Sequence, residues 1–197
     1  MNITDALIYG GIFGGNAKAN VVLRGADGAT ADIVNATVIE PYAFKNCDYL
    51  ASIELPNVIT VGAEAFNWCD LESVCLPNVV TVGDNAFLHN NLKFVDLPKA
   101  TSVGANAFSI NPLLDTVILR SPEFCNFNVT AVGGTKILTT QGEPVGEGFV
   151  YVPTALFEDY VADLTVQATL VTGNAAVAEY AVRAVIRKIE DYPEICG

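Results

Sequence analysis

Leu55-Pro56-Asn57-Val58-Ile59-Thr60-Val61-Gly62 returns almost unchanged as Leu76-Pro77-Asn78-Val79-Val80-Thr81-Val82-Gly83. A looser copy stands at Leu97-Pro98-Lys99-Ala100-Thr101-Ser102-Val103-Gly104. An Ala-Phe pair follows each copy, at Ala65-Phe66, Ala86-Phe87 and Ala107-Phe108, and Ala43-Phe44 precedes them all. Successive Phe residues are 22, 21 and 21 positions apart. A unit this short cannot bury its apolar face alone, so neighbouring units must stack. The expected architecture is a solenoid, and solenoids usually work as surfaces.

Aligned on its last Leu, each unit carries Leu50-x-x-Ile53-x-Leu55, Leu71-x-x-Val74-x-Leu76, Leu92-x-x-Val95-x-Leu97 or Leu114-x-x-Val117-x-Leu119. This is the strand spacing of leucine-rich repeats. Strand alternation turns its apolar positions inward. Pro56, Pro77 and Pro98 then end the strand, because proline has no N–H for the ladder. Three residues after each Phe runs a second column: Cys47, Cys69, Asn90 and Asn111. An Asn amide satisfies backbone groups left open at a bend, and Cys is a small apolar substitute with a weak S–H donor. A Cys47–Cys69 disulfide or metal pair is the alternative. Stacked rungs bring two backbones within about 5 Å, but with parallel Cβ vectors, which suit a disulfide poorly.

The composite pattern V-G-x-x-A-F-x-x-C/N-x-L-x-x-V-x-L-P resembles the BspA-type leucine-rich repeats of bacterial surface proteins and phage-encoded proteins. The clear match covers about 33–120. The resemblance implies a leucine-rich repeat solenoid, β-rich with short irregular or helical turns. Three parts are expected: a Gly-rich N-terminal arm or cap at 1–32, the solenoid at 33–153, and an α-helical C-terminal cap at 154–197. Leu119-Arg120-Ser121 departs from Leu-Pro, so the last repeat is irregular, and Val150-Tyr151-Val152-Pro153 restores the pattern after an insertion. In the first part, Gly10-Gly11 and Gly14-Gly15 flank Ile12-Phe13, and Val21-Val22-Leu23 is a candidate strand. In the last, Thr154 is a candidate helix N-cap with Glu158 and Asp159 in the early turns. Asn174 is a second cap candidate before Ala175–Tyr192, where Val182, Val185, Ile186 and Ile189 share a helical face. The end of that stretch reads equally as helix or strand. Either form covers the open edge of the last rung.

Composition limits the rest. Hydrophobic residues make up 51% of the 197 and charged residues 16%, an apolar surplus that favours a two-faced interior or an oligomer interface. A net charge of −12 with ten Lys and Arg argues against nucleic acid and against anionic membranes. No apolar run is long enough to span a bilayer, and Met1–Asp5 lacks the basic region of a signal peptide. Five cysteines without a CxxC pair read as free thiols.

Outward strand positions form a grid on the expected working face. Its candidate partner-binding residues are Glu54, Glu72, Cys75, Lys93, Phe94, Asp96, Asp115 and Ile118. Phe94, Cys75 and Ile118 would form an apolar patch rimmed by carboxylates. The plainer reading is that they pack on a cap, a neighbouring subunit or each other.

Catalytic chemistry has little to stand on. His89 is the only histidine, and no G-x-S-x-G elbow exists. Val132-Gly133-Gly134-Thr135-Lys136 lacks the Walker spacing. Asp27–Asp32 does not fit an EF-hand loop, although weak calcium binding there stays open. Glu143 with Glu147, or Glu54 with Asp96, would make a glycosidase pair only with a deep cleft. No enzyme activity, cofactor or metal is therefore expected. The leading expectation is a structural and binding protein, a phage virion-associated fibre or decoration component contacting other virion proteins or the host surface. It would bind itself as a closed homo-oligomer, a trimer being the first guess. A bacterial cell-surface adhesin module is the alternative, and a carbohydrate-active enzyme the distant one.

Overall fold

A computed structural model describes residues 36–48, 50–140, 143–145 and 147–191. The expected arm at 1–32, its Gly pairs, its candidate strand and the Asp27–Asp32 loop lie outside the described residues, as does Cys196.

The chain winds as a parallel β-solenoid of about four turns, closed by two helices. Each rung has two strand-bearing sides and one turn side. The first side holds β1 (Val38–Ile39), β3 (Thr60–Val61), β5 (Thr81–Val82), β7 (Ser102–Val103) and β9 (Asn126–Phe127), stacked in that order. The second side starts with β2 (Ser52–Glu54) paired to β4 (Ser73–Cys75). It continues through β6 (Phe94–Leu97), β8 (Thr116–Leu119), β10 (Phe149–Val152) and β11 (Ile186–Lys188), all parallel. Parallel pairing is forced by repetition, since every rung runs in the same direction.

The interior follows the columns read from the sequence. Leu50, Ile53 and Leu55 are buried, as are Leu92, Val95 and Leu97, and Leu114, Val117 and Leu119. Val74 is the exception and is half-buried. Phe44, Phe66, Phe87 and Phe108 form one stack, with ring centroids 4.9, 5.1 and 5.4 Å apart and planes within 6°. Offset stacking of this kind adds to the burial of each ring.

The turn side is hydrogen-bonded rung to rung. The N–H groups of Phe44, Phe66 and Phe87 donate to Ala65, Ala86 and Ala107 of the next rung. Two left-handed residues make this possible in each turn: Tyr42 and Asn46, Glu64 and Trp68, Asn85 and His89, Asn106 and Ile110. Such backbones cost energy in any residue with a Cβ, most of all in a β-branched one such as Ile110. Regular inter-rung bonds on both sides offset it. Gly83 is needed for a different reason: a Cβ there would meet Ala63 N at 2.6 Å.

Phe108 donates to Ala131 O, so Ala131-Val132-x-x-Thr135 takes the place of Ala-Phe-x-x-Asn in the last rung. Val129–Val132 forms a 3-10 turn there. Helix α1 (Phe157–Thr172) then packs Tyr160, Val161 and Leu164 onto the open end, and α2 (Ala175–Val185) adds Ala178, Val182 and Val185. Asn174 caps α2, accepting from Ala176 N and Val177 N. Thr154 does not cap α1. It begins a separate 3-10 turn, and its N–H and hydroxyl both donate to the Glu190 carboxylate. Leu156 occupies the α1 N-cap without a side-chain bond. The segment left open between helix and strand is a strand, β11, so Ile186 is buried beyond the helix.

Candidate functional site

The outer face of the second strand side carries the candidate residues in columns fixed by register. Ser52 lies opposite Ser73 and Glu54 opposite Cys75. Further along, Phe94, Thr116 and Phe149 align, as do Asp96, Ile118, Tyr151 and Arg187. Glu54, Glu72, Cys75, Lys93 and Phe94 are exposed, with Phe94 at 48%. Lys93 meets Glu72 at 3.5 Å on the open surface, a pair worth little to stability. Asp96 and Asp115 are only half-exposed. Asp96 accepts Arg120 Nε on both oxygens at 3.0 Å, and Asp115 accepts the Thr116 hydroxyl at 2.8 Å.

Ile118 does not belong to an open face. Its exposure is 0%, although its position in β8 points outward. It packs with Tyr151, Ile189 and Phe149 in a small cluster separate from the main core. The chain returns after α2, adds β11 to the sheet edge and lays Ile189 over the outer face. The Arg187 guanidinium covers the Phe149 ring at 4.0 Å. The described part of the candidate face that stays open is therefore its N-terminal half, around Glu54, Cys75 and Phe94.

The Asn column explains how the bends are held. Asn90 Nδ2 donates to Phe66 O at 2.8 Å and Phe87 O at 3.1 Å, while its Oδ1 accepts from Leu71 N at 3.0 Å. Asn111 repeats this with Phe87 O, Phe108 O and Leu92 N. Cys69 keeps one of these bonds, donating to Phe44 O at 3.1 Å. Cys47 and Cys69 are buried and are not joined in a disulfide. The hydrogen bond to Cys47, together with burial, holds the Cys69 thiol above its usual range, so it stays a neutral donor. Burial likewise pushes Cys125 up to about 12. Cys69 and Cys125 serve the fold, since a thiol that stays protonated is a poor nucleophile.

Sequence reasoning missed one pair. Trp68 and His89 stack with centroids 3.7 Å apart at 15°, at the corner where the turn side meets the second strand side. His89 is half-buried there, and Trp68 is exposed. Their shared place, two residues after the Phe of successive rungs, was the available signal. Among the described residues no cluster of three or more His, Cys, Asp or Glu could hold a metal ion, and no helix is long and apolar enough to cross a membrane. A cavity of about 30 Å³ lies between the last rung and the helices, lined by Phe127, Leu138, Leu164, Val182 and Val185. Ligand sites run to about 300 Å³ and more, so this is a packing gap.

Parallel rungs, inward Leu columns and an Asn ladder at the bend define a leucine-rich repeat solenoid, a protein-interaction scaffold in its general use. A family model described as a BspA type leucine rich repeat region matches in six copies over residues 34–139, just over half the chain. The chain belongs to that family. No curated protein and no solved structure matches it. The match runs past residue 120, over the stretch in which Ala131 O accepts from Phe108 N as the Ala of the next rung.

Proposed function

We propose that the chain is a non-catalytic binding module whose partner is a protein seated on the second strand side, around Glu54, Glu72, Cys75, Lys93 and Phe94. The observation that carries this is Phe94, a large ring left 48% exposed on a rigid sheet and ringed by charge. An aromatic anchor within a polar rim is the usual arrangement of an interface hot spot. The outer strand side offers contact area for a protein. The finer reading is a phage virion-associated fibre or decoration component, which rests on the sequence resemblance; residues 1–32 would attach the solenoid to a larger assembly. The family's use on bacterial surfaces favours a second reading, a cell-surface adhesin module.

A photoreactive benzophenone residue placed at Phe94, or at Ile59 on the first strand side, tests the proposal. The full chain is exposed to isolated phage particles and, separately, to a cell-envelope fraction. A discrete adduct from position 94 and none from position 59 is expected, and its mass identifies a virion or a host protein. Adducts from 59 alone, or from neither position, would overturn the strand-face assignment.

A further inference from the structure

Among the described residues, the ladder of the second strand side is broken at one junction. β2 pairs with β4, and β6 pairs with β8, but β4 and β6 are not paired with each other. Before the break, Leu55 N donates to Cys75 O at 3.1 Å and Glu72 N to Ala51 O at 2.8 Å. Beyond it, Asp115 N donates to Lys93 O at 3.2 Å. The counterparts at the break itself, Leu76 N to Asp96 O and Lys93 N to Glu72 O, are not made. Val74 lies at the break and is half-buried, whereas the equivalent Ile53, Val95 and Val117 are buried.

The same two rungs are joined on their other two sides. On the first strand side β3 and β5 pair in register. On the turn side Phe66 N donates to Ala86 O at 2.7 Å and Trp68 N to Leu88 O at 2.9 Å, beside the stacked Phe66 and Phe87 rings. Asn91 N, donating to Leu71 O at 2.9 Å, closes the start of the break. Across it runs the exposed Lys93–Glu72 pair, and at its end Lys99 donates to Asn78, also in the open. Exposed links of this kind hold weakly. Local opening begins where the fewest backbone bonds must part, and this is such a place.

We infer that the seam between β4 and β6 is a breathing point, where the second strand side opens while the first strand side and the turn side hold the rungs together. The seam divides the proposed binding face. Glu54, Glu72 and Cys75 stand with the two-stranded sheet, and Lys93 and Phe94 with the edge strand of the four-stranded one. Opening shifts the carboxylates relative to the Phe94 ring, so a protein that touches both sheets fixes their spacing as it binds. That use rests on the strand-face reading. The opening itself does not, and it is measured with no partner present, so either can fail without the other.

Thiol labelling of the full chain tests it. Val95→Cys and Val117→Cys, each in a Cys75→Ser, Cys196→Ser background, place a thiol at inward strand positions that are both 0% exposed. Val95 borders the seam, whereas Val117 is paired on both sides, to Val95 and to Val150. N-ethylmaleimide in native buffer, read by peptide mass, should modify position 95 at least about tenfold faster than position 117, since global unfolding exposes both and local opening only the first. Amide exchange of the unaltered chain asks the same question without a core substitution. The Leu76 and Lys93 amides should exchange fast, and those of Leu55 and Asp115, bonded in the flanking pairs, slowly. Equal labelling at 95 and 117, or equal protection of the two amide pairs, would overturn the inference.

Discussion

Removing the Asn90 amide gives a graded test of how the rungs are held. Asn90→Ala deletes the acceptor of Leu71 N and the donor to Phe66 O, both buried. Phe87 O loses a bond as well but keeps Asn111 at 3.0 Å. Two orphaned backbone groups at about 1–3 kcal/mol each give a loss of about 2–6 kcal/mol. With a urea slope of about 2 kcal/mol/M, the midpoint should fall by about 1–3 M. Asn90→Cys should cost less, because the chain already contains that solution. Cys69 keeps the donor bond to Phe44 O. In that rung Leu50 N turns to the backbone oxygen of Cys47 at 2.9 Å. A Cys at 90 can donate to Phe66 O in the same way, but Leu71 lies only two residues after Cys69, one fewer than Leu50 after Cys47, so Leu71 N alone is left orphaned where Ala orphans two groups. Urea unfolding followed by circular dichroism, on the wild type and both variants, reads the order. Equal losses for Ala and Cys would refute the reasoning, and so would a loss under about 1 kcal/mol for Ala.

Other consequences follow from single contacts. Phe87→Ala should cost about 3–5 kcal/mol by opening the ring stack, whereas Phe94→Ala should stay within about 0.5 kcal/mol because it removes an exposed ring; thermal melts compare them. Gly83→Ala should lower stability by about 1–3 kcal/mol although its φ is ordinary, since the new Cβ strikes backbone. Tyr160→Phe removes the hydroxyl that accepts from Cys125 N at 2.9 Å, and the stranded N–H should cost about 1–3 kcal/mol by urea unfolding. The Lys45 ammonium holds the Glu64 carboxyl below its ordinary 4.5. A lowered folded pKa gives stability that is present above 4.5 and lost as pH falls through the folded value. Lys45→Met should therefore be less stable than the wild type at neutral pH, and the two should converge in acid titration.

The columns that point inward were legible because the period repeats them. Phe44 to Phe108, the Leu positions and the Cys-to-Asn column each face the same neighbours in successive rungs. Ile118 was not legible. Outward alternation along β8 is correct, but burial is decided by Ile189, far along the chain, and no periodic reading contains that return. The left-handed positions were hidden for another reason. Trp68 and Ile110 are poor left-handed formers, so local propensity there points away from the conformation that the inter-rung bonds impose. Thr154 failed as a helix cap because Glu190, also distant, takes its hydroxyl. Asn174, whose partners are two and three residues away, was read correctly. Of the candidate face, the columns were readable, and the half that the chain covers with its own end was not.

The central claim is that stacked rungs, bonded through both strand sides and the turn side, carry the molecule. Amide hydrogen exchange of the full chain, resolved by residue, tests it most directly. The account predicts slow amides that recur with the repeat, at Phe66, Phe87 and Phe108 and at Leu71 and Leu92, whose N–H groups are buried and bonded across rungs. Protection confined to α1 and α2, with fast exchange at those five positions, would contradict it.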